Sequence, residues 1–162
     1  MKYIFLVIFI SFAGAVTAQE LQELTEGFYL TTECSINADL QRANPFRPKE
    51  ILCLVARPFL SGNEIKEISK IDTIGKTRYF DLVITEKASK QLNQINDSFK
   101  NPKIAFVISN EIVFVLHLGE MSTIQRRVTI AVISNTDEII QSHEKVEAYL
   151  ADIKKQASGK VD

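Results

Sequence analysis

The sequence predicts an α+β domain, a mixed or antiparallel sheet with helices packed on one face, and three observations carry that prediction. Short runs such as Tyr79 to Ile84 and Arg127 to Ile133 are rich in aromatic and β-branched residues and alternate in the strand period of two. Two longer stretches repeat apolar residues at steps of three and four, as amphipathic helices do. A turn-like Ser109-Asn110-Glu111 joins two apolar runs, which predicts a hairpin and hence antiparallel pairing.

Ahead of these elements stands a leader. Met1-Lys2-Tyr3 is a short basic segment, Ile4 to Phe12 an apolar run with one Ser, and Ala13 to Ala18 a run of mostly small residues. This is the grammar of a secretory signal peptide, with Val16 and Ala18 at the two positions a signal peptidase reads and cleavage expected after Ala18. The run falls short of the roughly 20 residues that span a bilayer. Residues 19–50 then read as an amino-terminal extension, 51–157 as the α+β domain, and 158–162 as a polar tail. Export makes the periplasm or the exterior the expected location. It also permits Cys34 and Cys53 to pair, closing a loop of about 19 residues and stabilising by about 3 kcal/mol. Two buried thiols are the other reading of these cysteines.

Within the extension, Phe28 to Thr32 predicts a strand and Asn44-Pro45-Phe46-Arg47-Pro48 a loop. Ile51 to Val55 fits a buried strand that Arg57-Pro58 breaks, and Ser61-Gly62-Asn63 a turn. Ile65, Ile68 and Ile71 recur every three residues, which predicts a short helix over Glu64 to Ile71, with Gly75 beyond its end. Tyr79 to Ile84 is the next strand, with Phe80, Leu82 and Ile84 on one face. Thr85 caps a helix over Glu86 to Phe99 whose stripe is Ala88, Leu92, Ile95 and Phe99, ended by Asn101-Pro102.

Lys103 to Ile108 and Ile112 to Leu118 form the hairpin, and Arg127 to Ile133 a further strand. Asn135 and Glu138 resemble a capping box that opens a helix to about Gln156, with Ile139, His143, Val146, Leu150 and Ile153 on one face. This order suggests a ferredoxin-like arrangement.

The stretch Phe80-Asp81-Leu82-Val83-Ile84-Thr85-Glu86-Lys87-Ala88 with Leu92, followed by Ile104-Ala105-Phe106-Val107-Ile108-Ser109-Asn110-Glu111-Ile112-Val113, resembles the first periplasmic (head) domain of SecD and SecDF. In that family a strand ending in Leu-Thr leads into a helix with an Ala-containing first turn. A strand pair of the type Ala-Ile-Val-Leu-Asp-Gly-Lys-Val comes next. The resemblance covers roughly Leu60 to Leu150 and includes Val128-Thr129-Ile130 ahead of Thr136-Asp137-Glu138. It departs at Ser109-Asn110, where the family has Asp-Gly, and in lacking the Ala-Pro and Gly-rich stretches that usually follow. It implies a fold and a role in contacting emerging polypeptide. The gradient-coupled part of that role rests on membrane helices that this sequence does not contain.

Charge excludes one class of partner. Nineteen Lys plus Arg, one of them Lys2 of the leader, stand against 20 Asp plus Glu, so the mature chain carries −2 and shows no footprint for nucleic acid. No membrane span is expected after signal cleavage. No nucleophile elbow, Walker loop, His-Glu-x-x-His or Cys-x-x-Cys occurs, so no catalytic residue, metal site or cofactor is assigned. His117 and His143 are the two histidines, both expected to be structural, and Asn96-Asp97-Ser98 is read as helix surface rather than a glycosylation site.

Several strands are apolar on both faces. Val83, Val107, Val113, Val115 and Ala131 are expected opposite the main core, beside Tyr79, Asp81, His117 and Arg127. Either the amino-terminal third covers that second face, pinned by Cys34 and Cys53, or a partner does. Tyr79, Asp81, Val113, Val115, His117 and Arg127 are therefore the candidate binding residues. The first functional reading is a non-enzymatic binding or adaptor domain of the cell envelope, taking another envelope protein or an exported polypeptide by strand addition. The second is a small periplasmic enzyme or small-ligand-binding protein with a site near His117, where it meets Asp81 or another acid.

Overall fold

The computed structural model describes residues 23–32, 34, 40–120, 123–133 and 136–159. The leader and the cap expected at Asn135 lie outside the described residues. The strands are β1 (Gly27–Thr32), β2 (Gln41–Asn44), β3 (Arg47–Leu54), β4 (Leu60–Ser61), β5 (Ile65–Ile68), β6 (Asp72–Ile74), β7 (Thr77–Ile84), β8 (Lys103–Ile108), β9 (Glu111–His117) and β10 (Arg127–Ile133). Two helices, α1 (Glu86–Ser98) and α2 (Thr136–Ser158), complete the set.

The α+β class and antiparallel pairing hold, but the strands divide between two sheets, so the ferredoxin-like arrangement does not. One sheet runs β2-β3-β1-β8-β9, with β4 also on β1; the other runs β10-β7-β5, with β6 also on β7. β7 and β8, which flank α1, thus belong to different sheets. The boundary drawn at residue 50 is also corrected. It cuts through β3, and β1 from the supposed extension is a central strand, pairing with β8 from Gly27↔Val107 to Leu30↔Ile104 and with β3 at Thr31↔Leu54 and Thr32↔Cys53. The loop expected at residues 44–48 narrows to the turn between β2 and β3, and Arg47 and Pro48 belong to β3.

The helix expected over Glu64 to Ile71 is instead a 3-10 turn (Gly62–Glu64) followed by β5. A register shift between Ile65 and Glu67 explains the misreading. Ile65 pairs with Ile84 and Ile68 with Leu82, so a bulge inserts one residue and gives a strand the three-residue spacing of a helix. The β-branched side chains favour the extended backbone there. Gly75, at φ +62°, turns β6 into β7 rather than following a helix.

The remaining elements follow their local chemistry. The Thr85 hydroxyl accepts from the Ala88 amide at 3.1 Å and starts α1. Ser109 and Asn110, at φ 48° and 67°, form the two-residue turn of the β8–β9 hairpin, the mirror-image type whose twist suits it.

The main core lies between the two sheets and the helices. Phe28, Phe106 and Phe114 from the larger sheet meet Phe80, Leu82, Val128 and Ile130 from the smaller, with Ala88 and Leu92 of α1 and Ile139, Val146 and Leu150 of α2. The rings of Phe106 and Phe114 stack with centroids 5.0 Å apart. His143 joins this face as a packing residue, its ring edge-on to Phe80 and Nε2 2.7 Å from the Ser69 carbonyl oxygen.

The larger sheet has a second core on its other face. Leu24, Tyr29, Leu52, Leu54, Ala105, Val107 and Ile112 cluster there, with Leu40, Val55 and Val115 against them. The sheet therefore curls on itself, and the β2–β3 hairpin comes to lie beside β9. Five strands each antiparallel to the next leave β2 and β9 running the same way, so hairpin geometry cannot close the seam. A disulfide between Cys34 and Cys53, with Cα atoms 5.1 Å apart, ties the exit of β1 to β3. On this face of the larger sheet the chain's own amino-terminal third is the cover, whereas Val83 and Ala131, expected on the same face, belong to the smaller sheet and lie outside this core.

Candidate functional site

The six candidate residues separate into two groups. Tyr79, Asp81 and Arg127 share the outer face of the smaller sheet, where Arg127 pairs with Val83 and Ala131 with Tyr79 in register. The Thr129 hydroxyl donates to Asp81 Oδ1 at 2.6 Å, the Arg127 guanidinium lies 3.6 Å from Asp81 Oδ2, and the Tyr79 hydroxyl donates to Asp72 Oδ2 at 3.2 Å. That last bond, to a carboxylate, holds the Tyr79 hydroxyl above its usual acidity constant.

Val113, Val115 and His117 belong to β9 in the larger sheet. Val113 was expected on the same face as Val115. A register shift after the Phe106↔Phe114 pair places it in the main core instead, where the Ser142 hydroxyl of α2 donates to its carbonyl at 2.6 Å. Val115 packs against the second core, and His117 stands across from Lys103 at the end of β9. His117 and Asp81 are thus carried by different sheets.

Tyr79, Asp81 and Arg127 border a more consequential feature, the edge formed by β10. Its sequence, Arg127-Val128-Thr129-Ile130-Ala131-Val132-Ile133, is a regular strand because its residues are mostly β-branched, burying Val128 and Ile130. It pairs with β7 along its whole length, from Arg127↔Val83 to Ile133↔Thr77. The Ile84 amide donates to the Arg126 carbonyl at 2.8 Å, which sets the phase of the ladder. Residues 128, 130 and 132 then exchange hydrogen bonds with β7, and the backbone groups of Arg127, Thr129, Ala131 and Ile133 point the other way.

Among the described residues no strand pairs with that outer edge. The opposite edge of β7 is filled by β5 and β6. Edges of this length are commonly blunted by Pro, a bulge or several charges. β10 has no Pro, keeps an unbroken register and carries one charge, Arg127, at its start.

The approach to β10 is tied to α1. On α1, Ser89 and Asn93 bind the backbone of Ile124 ahead of β10, the Asn93 Oδ1 accepting from its amide at 2.8 Å and both side chains donating to its carbonyl at 2.7 Å. Sequence reading placed the strand correctly but not its position in the sheet, since which strand ends a sheet is a tertiary property.

A groove of about 530 Å³ opens elsewhere, where β1 leaves β8 for β3. Half-exposed Ile51 and Phe99 line it, together with the Glu50–Lys103 ion pair at 2.7 Å, whose ammonium holds the Glu50 carboxyl below its ordinary range.

No protein-family model, curated protein or solved structure matches the chain. Among the described residues no helix is long and apolar enough to cross a membrane. The disulfide-distance cysteine pair fits an exported protein.

Proposed function

We propose that this chain is an exported, non-enzymatic binding or adaptor domain of the cell envelope that takes up an extended polypeptide by strand addition to β10. The observation that carries this reading is the seven-residue edge whose outward amides and carbonyls meet no described strand. An added strand gains main-chain hydrogen bonds along Arg127, Thr129, Ala131 and Ile133, and its alternate side chains extend the apolar and polar faces already present. Main-chain recognition suits a partner of varied sequence, such as an exported polypeptide before it folds. The signal-peptide grammar of Met1 to Ala18 supports delivery to the periplasm or the exterior. The resemblance to the SecD and SecDF head supports contact with emerging chains.

The test is a binding titration of reduced, carboxymethylated lactalbumin, a permanently unfolded chain, against the mature protein and its Ala131→Pro variant. Proline at 131 removes one outward donor and no bond to β7. Binding should fall by about tenfold or more with the melting temperature nearly unchanged. Equal binding by a folded Ala131→Pro protein would remove the edge as the site.

A further inference from the structure

The strands of this domain differ in how open they leave their edges. β5 carries a bulge between Ile65 and Glu67 and the exposed charges Lys66 and Glu67, and β2 carries a bulge between Ala43 and Asn44. β10 combines seven residues, an unbroken register and, among the described residues, no strand on its outer side.

The charges beside that edge are matched inside the chain. The Arg127 guanidinium lies 3.6 Å from the Asp81 carboxylate, and Arg126, just before the strand, donates to Glu86 at 2.7 Å. On the outer face Thr129 and Ala131 are small and exposed. On the core face Val132 is only partly buried, although it packs against the main core. A strand laid along this edge therefore meets small side chains and paired charges.

The core face of β10 reads Val128-Ile130-Val132, the same in both directions. An antiparallel copy of β10 centred on Ile130 sets Ile130 against Ile130 and Val128 against Val132, cross-strand β-branched pairs of the kind that stabilise sheets. In the same register Thr129 stands opposite Ala131, and Arg127 opposite Ile133. Those residues are the ones whose backbone groups point outward, and only this register engages all of them. Centring the pair on Thr129 or Ala131 instead leaves one outward residue of each copy without a partner in β10. The register on Ile130 also holds the two Arg127 side chains at opposite ends of the pair, about 20 Å apart, so the one charge of the strand does not face itself.

We infer that β10 pairs antiparallel with β10 of a second copy about a twofold axis through Ile130, joining the two smaller sheets in the order β5-β7-β10-β10-β7-β5. The axis stands perpendicular to the sheet, so both outer faces lie on one side and both cores on the other. One strand pair is a small interface, which makes the dimer weak and exchanging. Such a pair covers the edge offered to a polypeptide, a consequence that rests on the proposed function, whereas the pairing itself rests on β10 alone.

Sedimentation equilibrium of the mature chain from about 10 μM to about 1 mM tests it. A reversible monomer–dimer equilibrium is expected. In folded Ala131→Pro each copy loses one outward donor, and the dissociation constant should rise by about tenfold or more. The register is read without any substitution, from an equal mixture of carbon-13-labelled and unlabelled chain. A nuclear Overhauser contact is expected between the α-protons of Val128 on one copy and Val132 on the other. Facing residues of a non-hydrogen-bonded pair stand about 4.5 Å apart at Cα, whereas these two are about 13 Å apart within one strand. A chain monomeric to about 1 mM, a dimer unchanged in folded Ala131→Pro, or a cross-copy contact in another register would each overturn the inference. Excess carboxymethylated lactalbumin separates the pairing from the proposed function. Polypeptide bound to a chain that is monomeric throughout overturns the pairing and leaves the proposed function standing. A dimer with the Val128–Val132 contact that neither binds nor yields to the polypeptide upholds the pairing and removes the proposed function.

Discussion

Arg42 clasps Asn110 across the seam of the larger sheet: its guanidinium donates through Nε to the Asn110 carbonyl at 3.0 Å and through Nη2 to Asn110 Oδ1 at 2.7 Å. The Leu24 amide donates to the same Oδ1 at 3.1 Å. One residue that makes the hairpin turn between β8 and β9 thus also anchors β2 and the segment leading into β1. The clasp ties β2 to the β8–β9 turn across a seam where β2 and β9 are not joined by a ladder.

Arg42→Ala should destabilise the domain by about 2 kcal/mol, since it removes a buried guanidinium that makes two charge-assisted hydrogen bonds to Asn110. Arg42→Lys should recover less than half of that, because an ammonium cannot reach both oxygens with a planar fork. Urea unfolding measures both. The midpoint should move while the slope stays constant.

Reduction of Cys34–Cys53 should lower stability by about 3 kcal/mol and loosen the second core before the first. Hydrogen exchange under reducing conditions checks the order. Leu52 and Leu54 amides should lose protection while Phe106 and Phe114, in the core between the sheets, keep theirs.

Glu64 makes the domain acid-sensitive. The Lys87 ammonium at 2.8 Å, and then the Thr85 hydroxyl that also caps α1, hold its carboxyl below the ordinary 4.5. A depressed folded-state value means the proton is bound more weakly in the folded chain. The stabilisation is therefore complete above 4.5 and is lost as pH falls through the folded-state value. Glu64→Gln should show a smaller loss of stability than the parent chain between about pH 6 and pH 3, read by urea unfolding at each pH.

Ser142→Ala should cost about 1 kcal/mol, because its buried hydroxyl satisfies the Val113 carbonyl at the irregular point of β9. Ser142→Val should cost more, since it adds bulk between α2 and β9 as well. Thermal unfolding in parallel with the parent chain gives the difference.

Sequence pattern located elements well where side-chain period and backbone agreed. The Ser109-Asn110 turn, the Thr85 cap and the alternation of β7 and β10 are local properties of neighbouring residues. It failed where a bulge changed the period. Ile65 and Ile68 imitate a helix because one extra residue lies between two inward positions, and Val113 changes face for the same reason. Neither shift leaves a mark in a single sequence.

The candidate site divides similarly. Tyr79, Asp81 and Arg127 meet because β7 and β10 pair in register, whereas Val115 and His117 belong to another sheet.

Amide hydrogen exchange along β10, with and without saturating carboxymethylated lactalbumin, tests the strand-addition reading most directly. Val128, Ile130 and Val132 already bond to β7 and serve as internal controls. The account predicts that Thr129 and Ala131 slow by about tenfold or more on binding while those three change little. If the polypeptide binds and Thr129 and Ala131 exchange as before, with protection arising instead at the groove between Ile51 and Phe99, β10 is not the receiving edge.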